Sequence, residues 1–420
     1  MTSILWAFPF ASVSAFALYA ILFALSFARV REVYLPLPIT HFQGTSQHFR
    51  GFDAYRGLAA VLVATGHCWF FTYPVFAETQ LKASWLEYGA AAVPIFCVLS
   101  GFLIYRSVQK LQTLADLRAY GIRRLFRIWP VYAAATILLA FWDFYGNEAP
   151  VRLFVGEILM YYSIGFIRFA NPVAWSLYIE LIFYCLLPMF FIVVGRRRMA
   201  LFALVGAVTV AFADLHSRNF GLWQFFMLGI LASEISPMIK RHAPWLFVVG
   251  LALLLFDLSG VPQDTDWAAM IGFTYPRFDR QTTGLGIGFM LMLASTPHLH
   301  NLGKGLDVYP LRLLGLVSYS LYVTHPIYIL ANFPGMQGFS QNVEYFQTFE
   351  RMPWWYLPAI FAPGAIFWAI VSYVLIEKPG ISIGSYLSKK ARRADTDRLT
   401  SPPDAGRSGQ RTGPSTTPEE

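Results

Sequence analysis

The stretch Phe52-Asp-Ala-Tyr-Arg-Gly-Leu-Ala-Ala-Val-Leu-Val-Ala-Thr-Gly-His-Cys68 decides how the chain is read. Its apolar centre is interrupted by two ionisable groups, Arg56 and His67. Eleven residues are about three helical turns, so both side chains fall on one face, about 16 Å apart along the axis. A polar stripe on an otherwise apolar helix has to face a protein interior or a wet cavity rather than lipid. The stretch therefore predicts a membrane helix with a polar inward face, and the remaining chain supplies its surroundings.

Composition agrees. The 420 residues are 56% hydrophobic, 17% aromatic and only 13% charged, with a mean hydropathy of +0.49. Soluble domains carry about 25% charged residues, so a soluble enzyme is excluded. The net charge of +8 comes from short Lys and Arg clusters between apolar runs. That is the pattern of cytoplasmic loops, and it predicts no nucleic-acid partner. Cys68, Cys97 and Cys185 lie in apolar segments at spacings that suit neither a metal nor a disulfide framework, so they read as structural thiols.

Apolar runs fall at 4–28, 54–73, 88–106, 125–146, 173–195, 199–215, 220–236, 244–260, 280–297, 311–332 and 354–377. Each has about the 17–25 residues a transmembrane helix needs. Basic clusters at 29–50, 106–127, 196–198, 240–241, 304–312 and from 389 onward mark inner ends. The expected fold is all-α, a polytopic membrane bundle of about eleven helices. Residues 151–167 are read as re-entrant or as lying on the outer surface, and 267–275 as an outer-face segment. Three regions follow: an extra N-terminal helix and loop (1–50), a membrane domain (51–385) and a polar tail (386–420) expected to be disordered.

With this alternation, Asp53 and Arg56 lie at the inner end of their helix and His67 in its outer half. His325 takes the outer half of 311–332, and Trp175, Ser176 and Glu180 stand near the outer end of 173–195. Three titratable groups, His67, Glu180 and His325, are thus expected at one depth, where a carboxylate near a histidine favours general-base chemistry. Separate interhelical hydrogen bonds would give the same residues a purely structural role. Ser318, Tyr322 and His325 share a helical face, with Tyr319 off it. At the inner side, Arg123, Arg124 and Arg127 precede Trp129-Pro130. Arginine forks at a helix start suit phosphate, and plain membrane anchoring is the alternative. Ser100-Gly101 reads as close helix packing, with a serine nucleophile as the rarer option lacking any Gly-x-Ser-x-Gly elbow. The glycines at 284, 286 and 288 read as packing rather than a dinucleotide loop.

Five motifs in order resemble the membrane acyltransferase-3 family, the O-acetyltransferases of bacterial surface glycans. They are Phe52 to Leu58 leading to His67; Phe96 to Ile104; Arg123 to Pro130; Trp175 to Glu180 with Phe183-Tyr184; and Ser318 to Pro326. Glu377-Lys378-Pro379 is similar to the family's closing motif, while Leu181 and Ile182 stand where Glu and Gln are common. The resemblance implies ten helices, to which this chain adds one at the N-terminus. It also implies an acyl-CoA donor at the cytoplasmic face and an acceptor outside. Arg56 and His67 become the essential pair, and the Arg123 cluster faces the donor.

The combined reading is a transferase in a bacterial inner membrane that moves a short acyl group, acetyl foremost, from acyl-CoA to a hydroxyl of a glycan or lipid-linked saccharide. Its catalytic residues are His67, Arg56, Glu180 and His325, and its donor-binding residues are Arg123, Arg124 and Arg127. His67 serves as base or as transient acyl carrier. Trp69 and Trp175 are candidates for stacking on sugar. No metal or permanently bound cofactor is expected; the partners are acyl-CoA, the saccharide acceptor and lipid. A transporter using the same stripe as a proton relay is the rival. Cysteine labelling from either side of the membrane is expected to place residue 2 outside and Lys389 inside; a cytoplasmic N-terminus would remove the first span from the count.

Overall fold

The computed structural model describes residues 9–26, 51–76, 89, 92–144, 171, 173–212, 221–258, 283–332 and 356–400. The loop 29–50, the segments 151–167 and 267–275, the Trp69 side chain and residues 401–420 lie outside the described residues. Every regular element among those described is helical. The helices are α1 (Pro9–Ser26), α2 (Phe52–Phe76), α3 (Ala92–Val108), α4 (Leu114–Phe144), α5 (Ala174–Val194), α6 (Met199–Phe212) and α7 (Trp223–Ile235). They continue with α8 (Ala243–Leu258), α9 (Thr283–Ser295), α10 (His300–Leu306), α11 (Tyr309–Asn332), α12 (Ala362–Ser372) and α13 (Lys378–Thr400). A π-helical turn, Tyr373–Glu377, joins α12 to α13.

Each of the eleven apolar runs holds a helix. Among the described residues three segments are long and apolar enough to cross a membrane: Ala174–Val194, Tyr309–Asn332 and Pro358–Arg393. Ala11–Leu22, Ala92–Val108, Trp223–Ile235 and Ala243–Leu258 are shorter apolar helices. Helix α11 is the axis of the bundle. Its apolar window is 72% buried against 28% for α5, although it is the less hydropathic of the two. A helix carrying Ser318, Ser320, Tyr322, Thr324 and His325 is expensive against lipid, so protein surrounds it.

Small residues set the closest approaches. A Cβ on Gly57 would stand 2.5 Å from the Leu314 Cβ, and one on Gly315 would stand 2.4 Å from the Asp53 Cβ. The backbones of α2 and α11 therefore touch, as small-residue seams allow. Gly101 and Gly229 do the same for α3 and α7, and Gly250 and Gly288 for α8 and α9. The packing reading of Gly101 and Gly288 holds.

Contacting residues also give directions. Gly57 meets Gly315 and His67 meets His325, so α2 and α11 run parallel. Ser176 meets Tyr322, while Glu180, one turn on, shares a cavity with Ser318, so α5 runs antiparallel to α11. Gly380 packs on Pro130, Gly384 on Phe126, and Arg392 pairs with Asp116 at 2.8 Å, so α13 descends antiparallel to α4. These directions agree with the alternation inferred from the basic loops.

Helix α4 departs from expectation. The apolar run starts near 125, yet the helix starts at Leu114. The Thr113 Oγ1 accepts from the Asp116 N–H at 3.1 Å, and the Asp116 carboxylate accepts from the Thr113 N–H at 3.2 Å. This reciprocal capping closes the helix N-terminus well before the membrane run. The arginines from 123 onward are consequently two turns or more inside the helix, and no helix start is available to them for phosphate. The tail differs too, because α13 continues through Thr400, past residue 386. Its glycine face lies on α4, and that packing offsets the ordering entropy of an otherwise polar segment. Helix α1 docks on α12, with the Trp368 Nε1–H donating to Ser14 Oγ at 2.9 Å and the Tyr19 hydroxyl donating to the Ala359 carbonyl at 2.7 Å.

Gly315→Val is expected to separate α2 from α11. Overpacking of a close contact costs about 1–3 kcal/mol, so the unfolding midpoint in detergent should drop and activity with it. An unchanged midpoint would show that the seam yields easily.

Candidate functional site

Helices α2, α3, α4, α5, α7 and α11 enclose a cavity of about 70 Å³. Its polar wall comprises Arg56, Ser100, Arg127, Ser176, Glu180 and Tyr322. Glu180 is fixed from two sides: the Ser100 hydroxyl donates to its Oε1 at 2.6 Å, and the Tyr184 hydroxyl donates to the same atom. Glu180 is half-buried, and the two hydroxyls fix its carboxylate within the cavity that Arg56 and Arg127 also line. Glu377, 1% exposed, accepts from the Ser320 hydroxyl at 2.6 Å and interacts electrostatically with Arg127 and Arg56. With Asp53, which acts on Arg56 as well, three carboxylates stand near these two guanidinium groups.

The three arginines of α4 take different places. Arg127 lines the cavity. Arg124 lies over the rings of Tyr120 and Tyr184, at 5.5 and 5.2 Å from their centroids, and donates to Ser107 Oγ at 3.3 Å. Arg123 is exposed. Arg123 and Arg127, four residues apart, share a helical face, so depth separates them: Arg123 lies about 6 Å nearer the inner end of α4, away from the cavity, while Arg124 is turned about 100° from Arg123 onto the two tyrosine rings.

The histidines form a second group. The His67 Nδ1 is 2.8 Å from the His325 Nε2, and the rings are nearly coplanar at 19°. His325 is 1% exposed and its Nδ1 stands 3.1 Å from the Leu321 carbonyl. The expected meeting of His67 and His325 is therefore present, but Glu180 is not level with them. Ser176 and Tyr322, with hydroxyls 2.5 Å apart, mark a common depth. Glu180 lies four residues inward of that level and His325 three residues outward, which separates them by about 10 Å along the axis. The one-depth expectation fails because residue counts along apolar runs locate a helix only to within a turn or two. Glu180 instead joins Arg56 and Arg127. Tyr319, read as off the active face, also lines the cavity and donates to the Ile128 carbonyl at 2.6 Å. The cavity takes in residues from several helices, so a single helical face does not define its lining.

Tyr184 and Glu377 were visible only as motif residues. A lone glutamate closing the apolar run 354–377 was the available signal for Glu377, because a carboxylate inside a membrane bundle calls for a partner. Ser100 gains a role that packing alone did not predict. Among the described residues no three His, Cys, Asp or Glu side chains gather in a group suited to a metal ion.

Within the helical bundle, Arg56, Arg127 and Glu180 thus gather half-buried around one cavity, inward of a histidine couple. The family profile described as an acyltransferase domain matches residues 49–374, and the chain belongs to that family. It is a membrane acyltransferase. It is similar to the “Putative membrane-bound transacylase BcsY” of Komagataeibacter xylinus, 24% identical over 364 residues that cover 79% of this chain and 83% of that protein. It is also similar to the “O-acetyltransferase OatA” of Staphylococcus aureus, 25% identical over 87% of this chain and 61% of that protein. A third relative, the “Putative acetyltransferase ORF330” of Acidianus two-tailed virus, is 28% identical over 48% of this chain and 56% of that protein. No solved structure matches the chain.

Ser100→Ala tests what the serine does. As one of two donors to Glu180 its loss should cost about 1.5–3 kcal/mol of local interaction, only part of which reaches the transition state. Acyl transfer should remain measurable, at roughly a tenth of wild type or better. Activity at the level of the uncatalysed reaction would make Ser100 the nucleophile.

Proposed function

We propose that the protein transfers an acetyl or other short acyl group from cytoplasmic acyl-CoA to a hydroxyl of a glycan or lipid-linked saccharide at the outer side of a bacterial inner membrane, within a bundle of eleven spans. The observation that carries the reading is the convergence of Arg56 and Arg127, from two helices, on one internal cavity with Glu180. The relatives named as acetyltransferases support acetyl as the group.

In this reading Arg123 and Arg124 meet the donor's phosphates at the inner end of α4. The acyl arm extends past Arg127 toward Arg56. About 16 Å along α2 separates Arg56 from His67, so in this reading the Arg56 guanidinium holds the polar donor within the cavity and the thioester carbonyl reaches His67 beyond it. His67 takes the proton of the acceptor hydroxyl; the new C–O bond forms as the C–S bond breaks, and the thiolate of CoA leaves and is protonated. If His67 instead carries the acyl group, the same ring attacks the thioester first and the hydroxyl second. Glu180 keeps Arg56 and Arg127 oriented. Trp175, packed against the core, is positioned near the acceptor side.

The test is transfer from labelled acyl-CoA to saccharide in proteoliposomes, beside an acyl-CoA binding assay. His67→Ala is expected to leave at most about a hundredth of the transfer rate, since a general base contributes about 10²–10⁴-fold, with donor binding retained. Arg127→Ala is expected to weaken donor use far more than Arg123→Ala does, because only Arg127 reaches the cavity. Near-wild-type transfer by folded His67→Ala would overturn the mechanism.

A further inference from the structure

We propose that His325 is a positioning residue that fixes the tautomer of His67, and that the reactive atom of the site is consequently the Nε2 of His67. The proposal rests on His67 acting as the base or carrier in the reaction above, and it names which nitrogen acts and what selects it.

The argument follows the protons. A backbone carbonyl only accepts, so with the Leu321 oxygen 3.1 Å away, the His325 Nδ1 carries a hydrogen and donates it. In a neutral imidazole the other nitrogen then holds the lone pair. The His325 Nε2 is therefore an acceptor, and the group 2.8 Å from it, the His67 Nδ1, must be the donor. His67 is left with its lone pair on Nε2, the form able to take a proton or attack a carbonyl. The chain of assignments has one fixed end, the carbonyl of Leu321, and one outcome.

Local geometry supports that direction. Pro326 follows His325 and has no N–H to give to the Tyr322 carbonyl, so the α11 backbone loses a rung at this point. The ring of His325 turns back along the helix to the preceding carbonyls, and the near-coplanar alignment of the two imidazoles, 19° apart, suits an in-plane N–H···N bond. Tyr322 meets the His325 ring edge-on at 6.1 Å between centroids, which limits ring rotation. His325 is buried, so water does not compete for its Nε2. A purely structural interhelical bond would be satisfied by either proton order; a catalytic one requires this order.

The test has a spectroscopic arm and a kinetic arm. In protein labelled with ¹⁵N-histidine and reconstituted in nanodiscs, the His67 signals are assigned by their loss in His67→Asn. Their shifts should report a protonated Nδ1 and an unprotonated Nε2. A wild-type His67 protonated on Nε2 would overturn the proposal even if His67 proves essential. In the kinetic arm, His325→Gln offers an amide oxygen as replacement acceptor and should retain activity within about tenfold. His325→Ala offers none, and kcat should fall by about 10²-fold or more while KM for acyl-CoA changes less than about twofold. Equal loss in folded, monodisperse Gln and Ala variants, or full activity in the Ala variant, would remove His325 from the positioning role. Failure of the base assignment itself reads differently: His67→Ala would be active while the tautomer stands as described.

Discussion

The backbone contact between Gly57 and Gly315 is the constraint on which the site depends. His67 lies ten residues beyond Gly57, and His325 ten residues beyond Gly315. On parallel helices with equal rise, equal offsets return two residues to the same level, about 15 Å from the point of contact. The 2.8 Å bond between the rings is therefore set by a seam that contains neither histidine. Asp53 and Arg56 flank the same seam at its other end, so one helix pair sets the spacing of the guanidinium and the imidazole. A side chain at either glycine would act at both ends.

Charge balance is the second constraint. Burying a guanidinium in a membrane bundle without a partner is costly, and removing one member of an established buried pair costs about 3–5 kcal/mol. Here Asp53 and Glu180 act on Arg56, and Glu377 acts on Arg127 and Arg56. Neutral donors, Ser100, Tyr184 and Ser320, complete the carboxylates' hydrogen bonding. Donors of this type hold the carboxylates still without competing for their charge.

Much of this was legible in the sequence because lipid imposes simple rules. Apolar length placed the helices, basic loops gave their alternation, and the contacts of α2, α5, α11 and α13 have matching directions. Arg56 and His67 identified the inward face of α2. The levels of side chains across helices were less legible. Glu180 sits with the arginines because α5 is shifted by about two turns against α11, and a register of that kind is set by packing between particular residues such as Ser176 and Tyr322. The length of α4 was obscured for another reason. Hydropathy sees only the segment that meets lipid, whereas Thr113 and Asp116 cap a helix that begins eleven residues earlier than the apolar run. The arginines then sort themselves by depth along a helix whose true start was not in view.

The meeting of Ser176 and Tyr322 bears on a different demand, electrical tightness. Ser176 gives its proton to the Val173 carbonyl at 3.0 Å, so the Tyr322 hydroxyl is the donor across the 2.5 Å gap. That gap is narrower than a water molecule, and it lies between the arginine-lined cavity and the histidine couple. Phe96 packs edge-on against Tyr322 at 5.7 Å and closes the cavity beside it. A cell that keeps its energy as a proton gradient cannot tolerate a continuous file of water through a resident enzyme. Ser176 and Tyr322, in contact and flanked by Phe96, close this line between the cavity and the histidines, which is the tightness an insulating membrane asks of a protein that lies within it.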